Sequence, residues 1–108
     1  MTALQELLAK VEAGGIKTGR FLLLMRSVFP YHDIIAHEAY NGSLDAAKAL
    51  HEAVLGVGFN YSIHKDSASV MTWAHTVEGK TITANNRNPA RAWLIAIIEA
   101  LIAQEKST

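Results

Sequence analysis

The chain has 108 residues, no cysteine, ten Lys and Arg balanced by ten Asp and Glu, and an apolar half. That describes one compact domain, residues 1–108, able to bury a core without disulfides, and it excludes intrinsic disorder. A net charge of zero argues against duplex nucleic acid as a partner and against a polybasic membrane anchor, since both need a net basic face.

No apolar run reaches the length needed to cross a bilayer. The start, Met1-Thr2-Ala3-Leu4-Gln5-Glu6, carries neither a basic leader nor a cleavage pattern, so a cytoplasmic location is expected. Leu4, Leu7, Leu8 and Val11 follow the i, i+3, i+4, i+7 spacing of one helix face, and Gly14 and Gly15 end that helix. The run 21–29, rich in Leu and Met, is stopped by Pro30 and reads as a short, deeply buried helix, with a buried strand as the alternative. Residues 31–41 mix Asp33, His37 and Glu38 with Ile34, Ile35 and Ala36 and read as a loop or a short helical turn.

Asn41-Gly42 is a turn pair, Ser43 a helix cap and Asp45 a first-turn acid, so a helix is expected over 44–54. After Gly56 and Gly58 the side-chain period becomes two. Phe59, Tyr61 and Ile63 alternate with polar residues in a strand that closes in the Lys65-Asp66-Ser67 turn. A second strand is expected over 68–77, a tight hairpin at Glu78-Gly79 and a third strand over 80–84. Asn88 as cap and Pro89 at the first helical position start a last helix, with Ala90, Trp93, Leu94, Ile97, Ile98 and Leu101 on its apolar face.

The fold class expected is therefore α+β, a three-stranded antiparallel meander with helices on both faces. With two-residue loops at both hairpins, one sheet face carries Phe59, Tyr61, Ile63, Val70, Thr72 and Ala74. The other carries Met71, Trp73, His75, Val77 and Ile82. Both are apolar, so each calls for a cover, either a helix layer or a second subunit of a homo-oligomer.

Three segments resemble a family of small phage and prophage proteins described as αβα sandwich domains. They are Leu4-Gln5-Glu6-Leu7-Leu8-Ala9-Lys10-Val11-Glu12-Ala13-Gly14, Tyr40-Asn41-Gly42-Ser43-Leu44-Asp45-Ala46-Ala47-Lys48-Ala49-Leu50, and Asn88-Pro89-Ala90-Arg91-Ala92-Trp93-Leu94-Ile95-Ala96-Ile97-Ile98-Glu99-Ala100-Leu101. Residues 21–37 depart from the family's usual segment. The resemblance implies a phage or prophage origin in a bacterial host cell and a non-enzymatic accessory role. By analogy of setting, that role includes sequestering a nucleotide second messenger of anti-phage immunity. It brings no catalytic residue with it.

The residues themselves offer little chemistry. Asp33 and His37 at i, i+4, joined by His51, make an incomplete metal set, so neither a metal nor a cofactor is expected. Ser43, Ser62, Ser67 and Ser69 lie outside any nucleophile turn, and the Lys17-Thr18 pair lacks the glycine frame of a phosphate loop, although Lys17 and Arg20 could still contact an anion.

More suggestive is the segment Asn85-Asn86-Arg87-Asn88-Pro89-Ala90-Arg91. It combines amides, two guanidinium groups and the positive end of a helix, a set suited to phosphate. Trp73, His75 or Tyr61 would supply an aromatic surface for a base. The expected ligand is thus a small nucleotide bound at Asn85, Asn86, Arg87, Arg91, Trp73, His75 and Tyr61 without catalysis. The plainer reading makes the tryptophans core and the arginines solvated. The alternative function is an adaptor or inhibitor of a host protein.

Overall fold

Most of the helices begin where a side chain satisfies free backbone N–H groups, the helix that starts after His32 being the exception. In the computed structural model, which describes residues 2–14, 18–56, 59–72 and 81–106, α1 (Ala3–Ala13) opens on a capping box. Thr2 Oγ1 accepts from the Gln5 N–H at 3.2 Å, and Gln5 Oε1 accepts from the Thr2 N–H at 3.1 Å. Gly14, at φ 71°, ends it and donates to the Lys10 carbonyl. Thr18 caps α2 (Gly19–Val28) and Ser43 caps α4 (Leu44–Val54), each through its hydroxyl.

The 21–29 run is helical, but only one stripe of it is deeply buried. Phe21, Leu24 and Met25 face the core, while Leu22 and Leu23 remain exposed. Pro30 stops the helix, and Tyr31 then takes φ 72° with its side chain in solvent. A bulky residue in that left-handed conformation costs about 1–3 kcal/mol.

The stretch expected to be loop or a single turn is α3 (Asp33–Tyr40). Its inward residues are Ala36, Ala39 and Tyr40, so an alanine stripe packed against α4 and α5 holds an eight-residue helix that apolar spacing did not reveal.

The sheet contains β1 (Phe59–Ile63), β2 (Ser67–Thr72) and β3 (Thr81–Asn85), antiparallel and in that order. His64 N–H donates to the Ser67 carbonyl at 2.8 Å, which closes the first hairpin around Lys65-Asp66 as expected. The Glu78-Gly79 hairpin and residues 73–77 of the expected second strand lie outside the described residues.

The second register differs from expectation. Val70 stands opposite Ile82 and Ala68 opposite Ala84, so Ile82 shares the face of Phe59, Tyr61 and Val70 rather than that of Met71. A two-residue loop at 78–79 would have shifted the pairing by an odd number of residues, and an odd shift turns a strand over. The opposite face carries Asn60, Ser62, Ser69, Thr83 and Asn85, where Ser69 and Thr83 join their hydroxyls at 2.9 Å. Trp73, His75 and Val77, expected on this face, lie outside the described residues.

The fold is α+β, with helices flanking the three-stranded meander. α5 (Pro89–Lys106) packs against β2 and β3 on one side and against α1, α3 and α4 on others. Every residue from 92 to 98 is buried, beyond the single apolar face read from the sequence. A helix apolar all round belongs at the centre of a core. The radius of gyration, 12.9 Å, equals the roughly 13 Å of one compact domain of this length.

Candidate functional site

The amino-terminal corner of α5 is built by its own asparagines. Asn88 Oδ1 accepts from the N–H groups of Ala90 and Arg91 at 3.1 and 3.3 Å, and Asn86 Oδ1 accepts from the Asn88 N–H at 3.0 Å. The Asn86 N–H donates to the Asp66 carbonyl, tying this corner to the β1–β2 turn. Gly42 lies against Asn88, so close that a Cβ on residue 42 would sit 3.1 Å from Asn88 Nδ2.

Arg91, one turn inside the helix, is held in a fixed pose. Its Nε donates to the Tyr40 carbonyl at 3.0 Å, and its guanidinium carbon stands 4.0 Å from the centre of the Tyr40 ring. Phe21 supports that ring, with centroids 4.9 Å apart. Gly14, at the end of α1, leaves room beside Nη1. Tyr40 and Gly14 therefore flank the cation, with Phe21 behind the Tyr40 ring, and the sequence signalled neither Tyr40 nor Phe21 as part of this corner. Tyr40 and Arg91 are 51 residues apart, and no local pattern registers such a contact.

Among the other proposed ligand residues, Asn85 and Arg87 are exposed and Asn86 is half-buried. Tyr61 stands apart from them. Its ring lies 4.5 Å from that of Trp93 and 5.0 Å from that of His51, packed between sheet and helices. Trp73 and His75 lie outside the described residues, as does Lys17. Arg20 is engaged by Glu6 through two 2.7 Å hydrogen bonds, which hold the Glu6 carboxyl below its ordinary range.

His51, 1 % exposed, is the buried polar residue among the described residues of the core. The Trp93 Nε1–H donates to its Nδ1 at 3.2 Å, and its Nε2 lies 3.3 Å from the Phe59 carbonyl. An indole nitrogen only donates, so Nδ1 must be unprotonated and Nε2 must carry the hydrogen. Burial pushes the imidazole pKa down, against smaller upward effects from the Phe59 carbonyl and Glu52. His51 is thereby a structural imidazole, committed on both nitrogens. No group of three His, Asp or Glu with metal-binding geometry occurs among the described residues.

Two surface clefts lie elsewhere. One, of about 470 Å³, is lined by Leu4, Ser27, Val28, Leu101 and Gln104 among others. The other, of about 480 Å³, runs along α2 and α3. Neither is lined by Arg87 or Arg91. No helix among the described residues is long and apolar enough to cross a membrane. Comparison with family models, curated proteins and solved structures returns no match to this chain.

Proposed function

We propose that this protein is a non-catalytic binding protein that holds the phosphate of a small nucleotide at the amino-terminal corner of α5. One observation supports this reading above the others, the fixed pose of Arg91. A guanidinium oriented by a backbone carbonyl and an aromatic face loses little freedom when it meets an anion, and its Nη groups make no hydrogen bond to a described residue. The exposed Arg87 adds a second cation to the same segment. The α5 N–H groups of Ala90 and Arg91 are already satisfied by Asn88, so the arginines, not the helix end, would do the binding. The finer reading, sequestration of a nucleotide second messenger of anti-phage immunity by a phage protein in a bacterial host, rests on the resemblance of the three segments.

Native mass spectrometry and calorimetry with cyclic oligonucleotides and adenosine-diphosphate-ribose derivatives test the proposal. Arg87→Ala, at an exposed position, should weaken binding about 10-fold or more while leaving Tm unchanged, the loss expected for a charge-assisted hydrogen bond. Arg91→Lys keeps the charge but loses the fork and should weaken it further. Nucleotide binding that ignores both substitutions removes the site. Failure of every nucleotide to bind moves the function to a protein target, and a nucleotide released in altered form makes the protein an enzyme.

A further inference from the structure

Among the described residues the four most exposed large apolar side chains, Leu22, Leu23, Tyr31 and Ile34, fall on α2, α3 and the turn between them. Along α2, Phe21, Leu24, Met25 and Val28 form an inward stripe at i, i+3, i+4, i+7. Gly19, Leu22, Leu23 and Arg26 repeat the same spacing on the outside. Leu22 is 49 % exposed and Leu23 61 %. On α3, Asp33 and His37 line the 480 Å³ groove together with those four residues, and Ile34, three positions before His37, is 71 % exposed. At the corner between the helices Tyr31, 97 % exposed, is held outward on a left-handed backbone. A helix that exposes two adjacent leucines on its outer face, beside a strained and exposed aromatic ring, is a surface shaped for contact.

The charges on this surface say what kind of contact. The groove is lined by one cation, Arg26, and one carboxylate, Asp33, and neither is ion-paired within the chain among the described residues. A surface carrying one unpaired charge of each sign is complementary to itself under a two-fold axis. In such a pairing Arg26 would meet the partner's Asp33, Asp33 would meet the partner's Arg26, and the leucines would close between them.

We propose that the α2–α3 surface is the interface of a homodimer, its apolar stripe buried by a second copy of this chain and its register set by reciprocal Arg26–Asp33 pairs. This assignment does not depend on the nucleotide reading.

Sedimentation equilibrium over about 1–100 µM tests it, since a specific interface of standard size holds in that range. The wild-type chain should sediment as a dimer. Leu23→Glu, at an exposed position, should shift dissociation toward monomer by about 100-fold through a charge buried at the seam, with far-UV circular dichroism unchanged and with Tm lowered only at concentrations where the wild type is dimeric. Arg26→Glu and Asp33→Arg alone should each weaken the dimer by about 10-fold, and the double exchange should restore it. A wild-type monomer at about 100 µM overturns the proposal, as does a dimer indifferent to Leu23→Glu. If the double exchange dimerises no better than the single variants, the reciprocal pairing is wrong. Nucleotide titrations of the Leu23→Glu monomer separate the two readings, because loss of the dimer with binding retained leaves the Arg87–Arg91 proposal standing.

Discussion

Replacing His51 tests the core argument most directly. In His51→Ala the Trp93 indole N–H is left buried without an acceptor, which costs about 1–3 kcal/mol. Removing a fully buried ring adds a cavity term, and large-to-Ala changes in cores generally total about 2–5 kcal/mol. Both effects apply here, so a loss of roughly 3–5 kcal/mol is expected, against a domain stability of about 5–15. His51→Asn separates the causes. Its amide oxygen can occupy the place of Nδ1 and accept from Trp93, but it cannot titrate, so it should recover part of the loss and alter the pH profile.

The folded-state pKa of His51 lies below the ordinary value of 6.5. Below pH 6.5 the unfolded chain therefore binds a proton that the folded chain refuses, and stability falls with acidification until the folded pKa is reached. The slope contributed is at most about 1.4 kcal/mol per pH unit. Urea denaturation at pH 7.5, 6 and 5 reads both effects through the midpoint. A His51→Ala loss under about 1 kcal/mol would refute the hydrogen-bond reasoning, since an orphaned buried donor alone should exceed it. A His51→Asn profile parallel to wild type below pH 6.5 would assign the acid sensitivity to other groups.

Two further predictions follow from the same packing. Burial, and then the charge of Glu12, hold the Glu99 carboxyl above its ordinary pKa of 4.5, so the folded chain retains a proton that the unfolded chain releases. Stability is lost as pH rises from 4.5 through the raised value. Glu99→Gln should accordingly raise Tm by a few degrees at pH 7, on the order of 0.5 kcal/mol, and the gain should vanish below pH 4.5 in calorimetric scans; an equal gain at pH 4 would contradict the assignment. Gly42 combines φ 114° with the close approach of Asn88. Gly42→Ala should lower stability by about 1–3 kcal/mol, and an unchanged urea midpoint would show that this corner relaxes freely.

The elements legible in the sequence were those whose cause is local. Ser43 capping α4, the Lys65-Asp66 turn and the Asn88-Pro89 start of α5 each depend on a few neighbouring residues and were read at the right places. The short α3 carries no legible apolar period, because its inward residues are alanines and one tyrosine while its large apolar Ile34 points to solvent. The β2–β3 register is not legible locally, because parity depends on loop length and a shift of one residue exchanges every face. Long-range partners left no local trace at all. Tyr61 alternates as a strand residue should, and nothing in that alternation says that Trp93 and His51 cover its ring.

That distinction governs how the candidate site can be interrogated. Arg91 is at once the best-placed cation and a tether between α3 and α5, through the Tyr40 carbonyl and ring. Arg91→Ala would remove a ligand and loosen the fold together, so lost binding in that variant says nothing about contact. Arg87 is exposed and ends no buried network, and its removal changes charge with little change in packing. A nucleotide held by the corner must therefore respond to Arg87→Ala at unchanged Tm. A nucleotide that responds only to Arg91 substitutions, and in proportion to their loss of stability, is bound elsewhere on a fold that Arg91 supports.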